Sequence, residues 1–103
     1  MAGQYNFEWD PEKAQANVRK HRVSFEQASR VLEDPLAVSI YDDTHSSTDE
    51  DRWVTLGRAG DEVLVVVHTF REIDSDQVNV RIISARQATR HERQQYEGAE
   101  GDE

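Results

Sequence analysis

The chain has 103 residues, of which 36% are hydrophobic and 32% are charged, and its formal net charge is −9. This length fits one domain with one core, and the composition is less polar than that of a disordered chain. The absence of cysteine excludes disulfides, thiolate nucleophiles and sulfur-ligated zinc, and no apolar run approaches the roughly 20 residues that cross a bilayer.

The N-terminal segment predicts a short strand followed by a helix. Apolar and polar residues alternate as in a strand with one buried face, the apolar ones being Tyr5, Phe7 and Trp9. Asp10 is a good N-cap and Pro11 suits the first helical position, so a helix is predicted from Pro11 to about His21. The segment has neither the basic start nor the apolar core of a signal peptide, so we expect a cytoplasmic protein.

A second helix is predicted directly after the first. Ser24 with Gln27 three residues later has the pattern of a capping box. The apolar positions that follow have helical spacing: Phe25, Ala28, Val31 and Leu32. Asp34-Pro35 should end this helix, because the residue before a proline disfavours helical geometry.

The middle of the chain predicts strands. Leu36 to Tyr41 is rich in residues that favour strands, and a polar loop follows from Asp42 to Asp51. Trp53 to Arg58 and Val63 to Phe70 form a predicted hairpin around a tight turn at 59–61. Because positions 63–67 are all apolar, this strand should lie centrally in the sheet with a layer on each face.

The C-terminal part predicts one more strand and a last helix. A polar stretch at 72–77 precedes a strand from Val78 to Ala85. Thr89 with Glu92 predicts a capped helix that reaches about Tyr96. We therefore expect an α+β fold with a mainly antiparallel sheet, two N-terminal helices and one C-terminal helix, in a single domain over residues 1–97. Residues 98–103 should form an acidic, disordered tail.

The charge is unevenly distributed. Acidic residues gather in three segments, around 42–51, 72–76 and 97–103. Two segments are basic instead: 13–25 carries Lys13, Arg19, Lys20 and Arg22, and 81–93 carries Arg81, Arg86, Arg90 and Arg93. These patches are either solvated helix faces or sites for an anionic partner.

Known motifs exclude several kinds of site. The chain has no Gly-rich phosphate loop, no nucleophile elbow and no EF-hand loop. His91-Glu92 begins like the zinc-protease motif, but Gln95 stands where the second histidine is required. Four separate histidines could still assemble a metal site in space, but nothing in their spacing supports one, so we expect no metal and no cofactor.

Histidine and arginine remain as candidates for acid–base chemistry on a phosphodiester. Histidine titrates near neutral pH and can transfer protons, and arginine can hold two phosphate oxygens. His68, at the end of the most buried strand, is either catalytic or a core histidine with satisfied hydrogen bonds. His45 is either catalytic or an exposed loop residue, and the arginines either bind phosphate or pair with the abundant acids.

The residues resemble one family in a fixed order. The N-terminal half carries Phe7-Glu8-Trp9-Asp10-Pro11-Glu12-Lys13-Ala14, Asn17, Lys20-His21, Val23-Ser24-Phe25-Glu26 and Asp34-Pro35. The second half carries His45-Ser46, Glu50, Arg52, Gly57, Val66-Val67-His68-Thr69 and Arg81-Ile82-Ile83-Ser84-Ala85-Arg86, ending at Tyr96-Glu97. Over roughly residues 5–97 the sequence resembles BrnT-type toxins.

This resemblance implies a RelE-like fold and a metal-independent endoribonuclease that inhibits translation. It also implies neutralisation by a BrnA-like antitoxin with a ribbon-helix-helix part, so that DNA is contacted only through the antitoxin. Carried over by position, the candidate catalytic residues are His45, Arg52, His68, Arg81 and Arg86. The candidate RNA contacts are Lys20, His21 and Glu50.

Two features depart from the family pattern. Arg22 stands where the family usually has glycine after Lys-His, at a position that suits a left-handed helix end. The acidity is also unusual for an enzyme that acts on RNA. The alternative functions are a catalytically inactive antitoxin-binding module of the same fold, or an acidic domain that mimics nucleic acid.

Overall fold

A computed structural model of the chain describes residues 4–46 and 50–101. Its elements in chain order are β1 (Gln4–Glu8), α1 (Pro11–His21), α2 (Phe25–Val31), β2 (Val38–Tyr41), β3 (Arg52–Ala59), β4 (Glu62–Thr69), β5 (Arg71–Asp74), β6 (Gln77–Gln87) and α3 (Arg90–Gly101). The predicted α+β class, with two helices near the N-terminus and one near the C-terminus, is confirmed. None of the described helices has the length and apolar character needed to cross a membrane.

The six strands form one sheet in the order β1-β6-β4-β3-β2, with β5 also paired to β6. β1 runs parallel to β6, and the other pairings are antiparallel. β4 lies at the centre, and its residues Val63 to Val66 are buried. The prediction of a central strand covered on both faces is therefore confirmed.

The two faces of the sheet carry different layers. We call the first the helix-pair face, because α1 and α2 pack there; it includes Leu64 and Val66, which join the main core. The second, the α3 face, carries a smaller core in which Tyr96 of α3 packs with Val63 and Val65. Alternation along β4 divides its side chains between the two layers.

Gly57 permits the close contact between α2 and β3. A Cβ atom at this position would lie 2.9 Å from Val31 Cγ1 and 3.0 Å from the Cβ of Ala37. Both distances are below ordinary van der Waals contact, so any side chain here would push α2 and the following loop away from the sheet.

The three predicted helix caps are present. Asp10 Oδ1 accepts from the backbone N–H of Glu12 at 2.8 Å, and Ser24 Oγ accepts from that of Gln27 at 3.0 Å. The reciprocal half of the Ser24 box is not made, because the Gln27 side chain donates to Glu62 instead. Thr89 and Glu92 make both halves of theirs.

Arg22 ends α1 in the left-handed conformation. Its φ is 61° and its ψ is 30°, and its backbone N–H donates to the carbonyl of Val18. The helix therefore ends as it would with glycine, and the chain tolerates a cost of about 1 kcal/mol for the Cβ atom.

Asn17 joins α1 to the sheet at the point where β1 has ended. β1 pairs with β6 only as far as Arg81. Beyond it, the buried Asn17 side chain donates to the carbonyls of Val23 and Ala85 and accepts from the N–H of Ala85. This amide satisfies the open edge of β6.

The structure differs from the predicted elements in three places. β2 begins at Val38 rather than Leu36, because Asp34 holds residues 35–37 in a turn. β5 was predicted as a polar stretch; all four of its residues are exposed, so no apolar alternation marks it. α3 continues past Tyr96 into the segment predicted to be a disordered tail, and it ends at Gly101 rather than before Gly98.

Parts of two predicted segments lie outside the described residues. These are 47–49 in the polar loop and 102–103 in the acidic tail.

Candidate active site

A β-bulge decides which face carries the candidate arginines of β6. Arg81 and Arg86 are five residues apart, an odd number that would place them on opposite faces of a regular strand. The pairing with β4 shifts register between Val67 and His68, so β6 carries one extra residue there. Arg81 and Arg86 consequently both lie on the α3 face.

Arg52 and Arg81 meet on this face. Arg52 pairs with Thr69 across β3 and β4, and the backbone N–H of Arg81 donates to Thr69 Oγ1 at 3.1 Å. Glu50, just before β3, forms ion pairs with both arginines. Its Oε1 lies 3.8 Å from Arg52 Nη2, and its Oε2 contacts Arg81 Nη2. The structure thus brings together three of the predicted site residues.

A cleft of about 430 Å³ opens beside Glu50 and Arg81, and Arg52 is not one of its lining residues. Its size is within the range of small-ligand sites. Its lining is mostly polar and includes four acidic residues and two arginines: Glu8, Glu50, Asp51, Thr69, Phe70, Arg71, Glu72, Asn79 and Arg81. Negative groups therefore outnumber the guanidinium groups in the cleft.

Sequence reasoning missed Arg71 and Asn79. Their Cα atoms are partners in the pairing of β5 with β6. Because β5 reads as a polar loop in the sequence, nothing local indicated that Arg71 would line a cleft with Arg81.

His45 is exposed in the loop that leads into β3. Its Nδ1 lies 2.9 Å from Asp42 Oδ2. Ser46 attaches this loop to the strand, since its hydroxyl accepts from the N–H of Arg52 and donates to the carbonyl of Asp42. Desolvation raises the pKa of Asp42, but hydrogen bonds from His45 and Thr44 outweigh it, so the pKa lies below its usual value. Because Ser46 attaches the loop to the backbone of Arg52, His45 lies at the same end of β3 as Arg52.

His68 lies on the helix-pair face and is 3% exposed. Its Nδ1 is 2.9 Å from the carbonyl of Thr69, which can only accept, so Nδ1 carries the hydrogen. Nε2 then accepts from the hydroxyl of Thr55 at 2.6 Å, and Thr55 is hydrogen-bonded to Ser39. Burial lowers the pKa of His68, and the bond to Thr69 only partly opposes this.

The structure does not bring His68 to the arginines. His68 instead borders a second cavity, of about 200 Å³, which lies on the helix-pair face and is also lined by Ser39 and Thr55. This geometry matches the alternative of a core histidine with satisfied hydrogen bonds.

Arg86 is separated from Arg81 by roughly 16 Å of strand. Its guanidinium makes a two-pronged contact with Glu92, at 2.8 and 2.9 Å. The bond to Arg86 is the main reason that the pKa of Glu92 falls to about 2, and the N–H of Thr89 adds to it. The same bond raises the pKa of Arg86.

Lys20 and His21 form part of the last turn of α1. Lys20 is exposed and His21 is half-buried. They follow Asn17, whose side chain contacts β6 at Ala85, next to Arg86. The candidate residues on these segments therefore form two groups. One group lies near the start of β3 and comprises His45, Glu50, Arg52 and Arg81. The other comprises Arg86, near the end of β6, and Lys20 and His21, in the helix that contacts this end through Asn17.

No group of three or more His, Cys, Asp or Glu side chains arranged to hold a metal ion occurs in the part of the chain that the structure describes. The expectation of a metal-independent reaction stays a prediction.

The chain matches a known protein family. A family model described as the ribonuclease toxin BrnT of type II toxin–antitoxin systems matches residues 9–92. No curated protein matches the chain. The matched segment contains every candidate site residue.

Proposed function

The chain belongs to the BrnT family of ribonuclease toxins of type II toxin–antitoxin systems, and from that premise we propose that it cleaves RNA internally, without a metal ion, and so inhibits translation. The observation that carries the proposal is the convergence of Arg52 and Arg81 beside a polar cleft. Both guanidinium groups form an ion pair with the same carboxylate, and a guanidinium binds the oxygens of a phosphate in the same way as those of a carboxylate.

In the proposed reaction, the 2′-oxygen of a nucleotide attacks the adjacent phosphorus. A base takes the 2′ proton, the O2′–P bond forms, the P–O5′ bond breaks, and the leaving O5′ takes a proton. Arg52 and Arg81 stabilise the charge that develops on the phosphate oxygens. The products are a 2′,3′-cyclic phosphate and a 5′-hydroxyl.

His45 and His68 are the proposed proton-transfer residues, and their surroundings favour His45. His45 is exposed in a loop held against the backbone of Arg52. His68 would have to act from the other face. The Nδ1 of His68 donates to the carbonyl of Thr69, and the hydroxyl of Thr69 accepts from the backbone N–H of Arg81. These two bonds suit a role for His68 in positioning Arg81.

The second group of candidates extends the proposed RNA surface. Arg86 would bind a further phosphate after separating from Glu92. Lys20 and His21, in the helix that packs on the other face, would contact RNA that passes around the end of β6. Glu50 would contact the RNA at the arginine pair.

Membership of the family implies an antitoxin partner. We further propose that this partner is BrnA-like with a ribbon-helix-helix part, that DNA is reached only through it, and that the pair acts in the cytoplasm. The RelE-like character of the fold also stays a proposal.

The test is cleavage of RNA by the purified chain in the presence of a chelator. We expect Arg81→Ala to lower kcat/KM by about 100-fold, the usual effect of losing one donor to a developing charge. The control Arg93→Ala, at an exposed position on α3, should stay within about twofold. Folded wild-type protein that leaves RNA intact at every salt concentration and pH would refute the proposal.

The alternative is a catalytically inactive antitoxin-binding module. The observation that favours it is that Arg81 and Arg86 are both paired with carboxylates. An Arg86→Ala variant separates the two functions: the enzyme cleaves RNA more slowly while its antitoxin affinity stays within about tenfold, or roughly 1.4 kcal/mol. The inactive module has no cleavage to lose.

A further inference from the structure

Glu50 occupies the position that a phosphate group would take between the two arginines. One of its oxygens contacts Arg81 and the other lies 3.8 Å from Arg52. Carboxylate and phosphate present the same kind of paired oxygen acceptors to a guanidinium. The side chain of Glu50 is 35% exposed, so an incoming anion can reach this contact from solvent.

The arginine pair retains unused donor capacity. The 3.8 Å separation between Glu50 and Arg52 exceeds hydrogen-bond length, so this contact is an ion pair only. Arg52 Nε is buried and has no hydrogen-bond partner within residues 4–46 and 50–101. A buried donor without a partner is costly. A ligand that satisfied Arg52 more fully than Glu50 does would therefore gain free energy.

Glu50 can leave this position without breaking the sheet. Glu50 makes an isolated β-bridge through its backbone just before β3, whose ladder with β4 starts at Arg52, and this bridge does not involve the Glu50 side chain. The adjacent Thr69 hydroxyl and the Arg81 backbone are fixed by their own hydrogen bond. Displacing the carboxylate thus requires a change of side-chain rotamer, while the arginine backbones stay in place.

We infer that Arg52 and Arg81 form a single anion site that Glu50 fills as an internal ligand, and that an RNA phosphodiester enters by displacing the Glu50 carboxylate. This inference rests on the proposed function for the identity of the anion. In place of the RNA contact proposed above, this inference assigns Glu50 a competing role. The carboxylate keeps the site closed to weak anions, and the other acids of the cleft, such as Glu72, add general repulsion.

The test compares Glu50→Gln with Glu72→Gln. Each variant removes one negative charge from the same cleft and preserves side-chain size, but of these two residues Glu50 is the one with described ion pairs to the arginines. The probe is a 2′-O-methyl RNA oligonucleotide, which cannot be cleaved by 2′-attack, and its Kd is measured by fluorescence anisotropy. We expect Glu50→Gln to bind about fivefold tighter, or about 1 kcal/mol, and Glu72→Gln to change Kd by less than about twofold.

A second probe separates this inference from the proposed function. Inorganic pyrophosphate is titrated while the side-chain Nε–Hε signals of Arg52 and Arg81 are followed by NMR. We expect both signals to shift at lower pyrophosphate concentration in Glu50→Gln than in the wild type, whether or not the protein cleaves RNA. Glu50→Ala, checked for folding by circular dichroism, should behave in the same way.

Two outcomes would overturn the inference. In one, removal of the Glu50 charge leaves the affinities for both probes unchanged or weaker. In the other, Glu72→Gln tightens binding as much as Glu50→Gln, which would show that only the net charge of the cleft matters. Tighter pyrophosphate binding by Glu50→Gln in a chain that does not cleave RNA would support the anion site and refute the nuclease.

Discussion

At the scale of single residues, burial separates side chains of the same type. His45 and His68 are both candidate proton-transfer groups, but His45 is exposed and His68 is enclosed by Thr55 and the carbonyl of Thr69. Burial without a compensating negative charge disfavours the protonated imidazole. The neutral form of His68 is therefore favoured, and its Nδ1 hydrogen donates to the carbonyl of Thr69 in the same strand.

This burial predicts a pH dependence of stability. The folded-state pKa of His68 lies below the value of 6.5 for an unperturbed histidine, so the unfolded chain binds the proton first as the pH falls. Stability that is present above pH 6.5 should be lost as the pH falls through the folded-state pKa. Urea unfolding at about pH 7.5 and about pH 5 should show this loss, and His68→Gln should reduce it. His91→Gln, at an exposed position, is the control; an equal pH dependence in all three proteins would contradict the prediction.

At the scale of elements, α3 is a polar helix that is held by a few specific contacts. Tyr96 is buried, and its hydroxyl donates to Asp34 at 2.6 Å. Partial burial raises the pKa of Asp34, but hydrogen bonds from Tyr96, Leu36 and Arg58 lower it further than burial raises it. At the other end, Glu92 caps the helix and binds Arg86. The helix therefore depends on tertiary contacts more than on its own propensity.

Replacing Glu92 by glutamine should weaken the attachment of α3. The pKa of Glu92 is about 2 in the folded protein against 4.5 unperturbed, so its contribution is complete above pH 4.5 and is lost as the pH falls towards 2. Because Arg86 is partly exposed, we expect a loss of about 1 kcal/mol in the free energy of unfolding at neutral pH. Glu97→Gln, an exposed position on the same helix, should change stability by less than about 0.5 kcal/mol. Urea titrations measure both; an equal loss in the two variants would argue against the contact with Arg86.

At the scale of the whole molecule, the net charge of −9 has the same sign as the phosphates of the proposed RNA substrate, so the two repel each other. The described structure reconciles them by placing Arg52, Arg81 and Arg86 on one face, while carboxylates pair with them or surround the cleft. Few phosphates can be neutralised in this way. RNA binding should therefore depend on local contacts, with weak long-range attraction.

The salt dependence of RNA binding should be correspondingly shallow. Three phosphate contacts to single-stranded RNA predict a slope of log K against log salt of about −2. Anisotropy titrations of the uncleavable oligonucleotide at several salt concentrations measure this slope, and Arg81→Ala should make it shallower by about 0.7. A slope of about −5 or steeper would show that RNA binds to a larger basic surface than these three arginines provide.

Prediction from sequence succeeded where the cause is local. The caps at Asp10, Ser24 and Thr89 depend on residues two or three positions apart. The Gly60 turn, with its φ of 63°, depends on a single residue that tolerates that conformation. β5 could not be predicted, because a short exposed strand forms through pairing with β6 and leaves no apolar pattern.

The sequence by itself determined the class of fold, the elements with a buried face and the family, because residue order and apolar periodicity encode these directly. Only the tertiary structure decided how the polar residues are grouped. One extra residue in the pairing of β6 with β4 places Arg81 and Arg86 on the same face, while His68 points to the other. Side-chain grouping across a sheet depends on strand register, and a shift of one residue changes the face of every position beyond it.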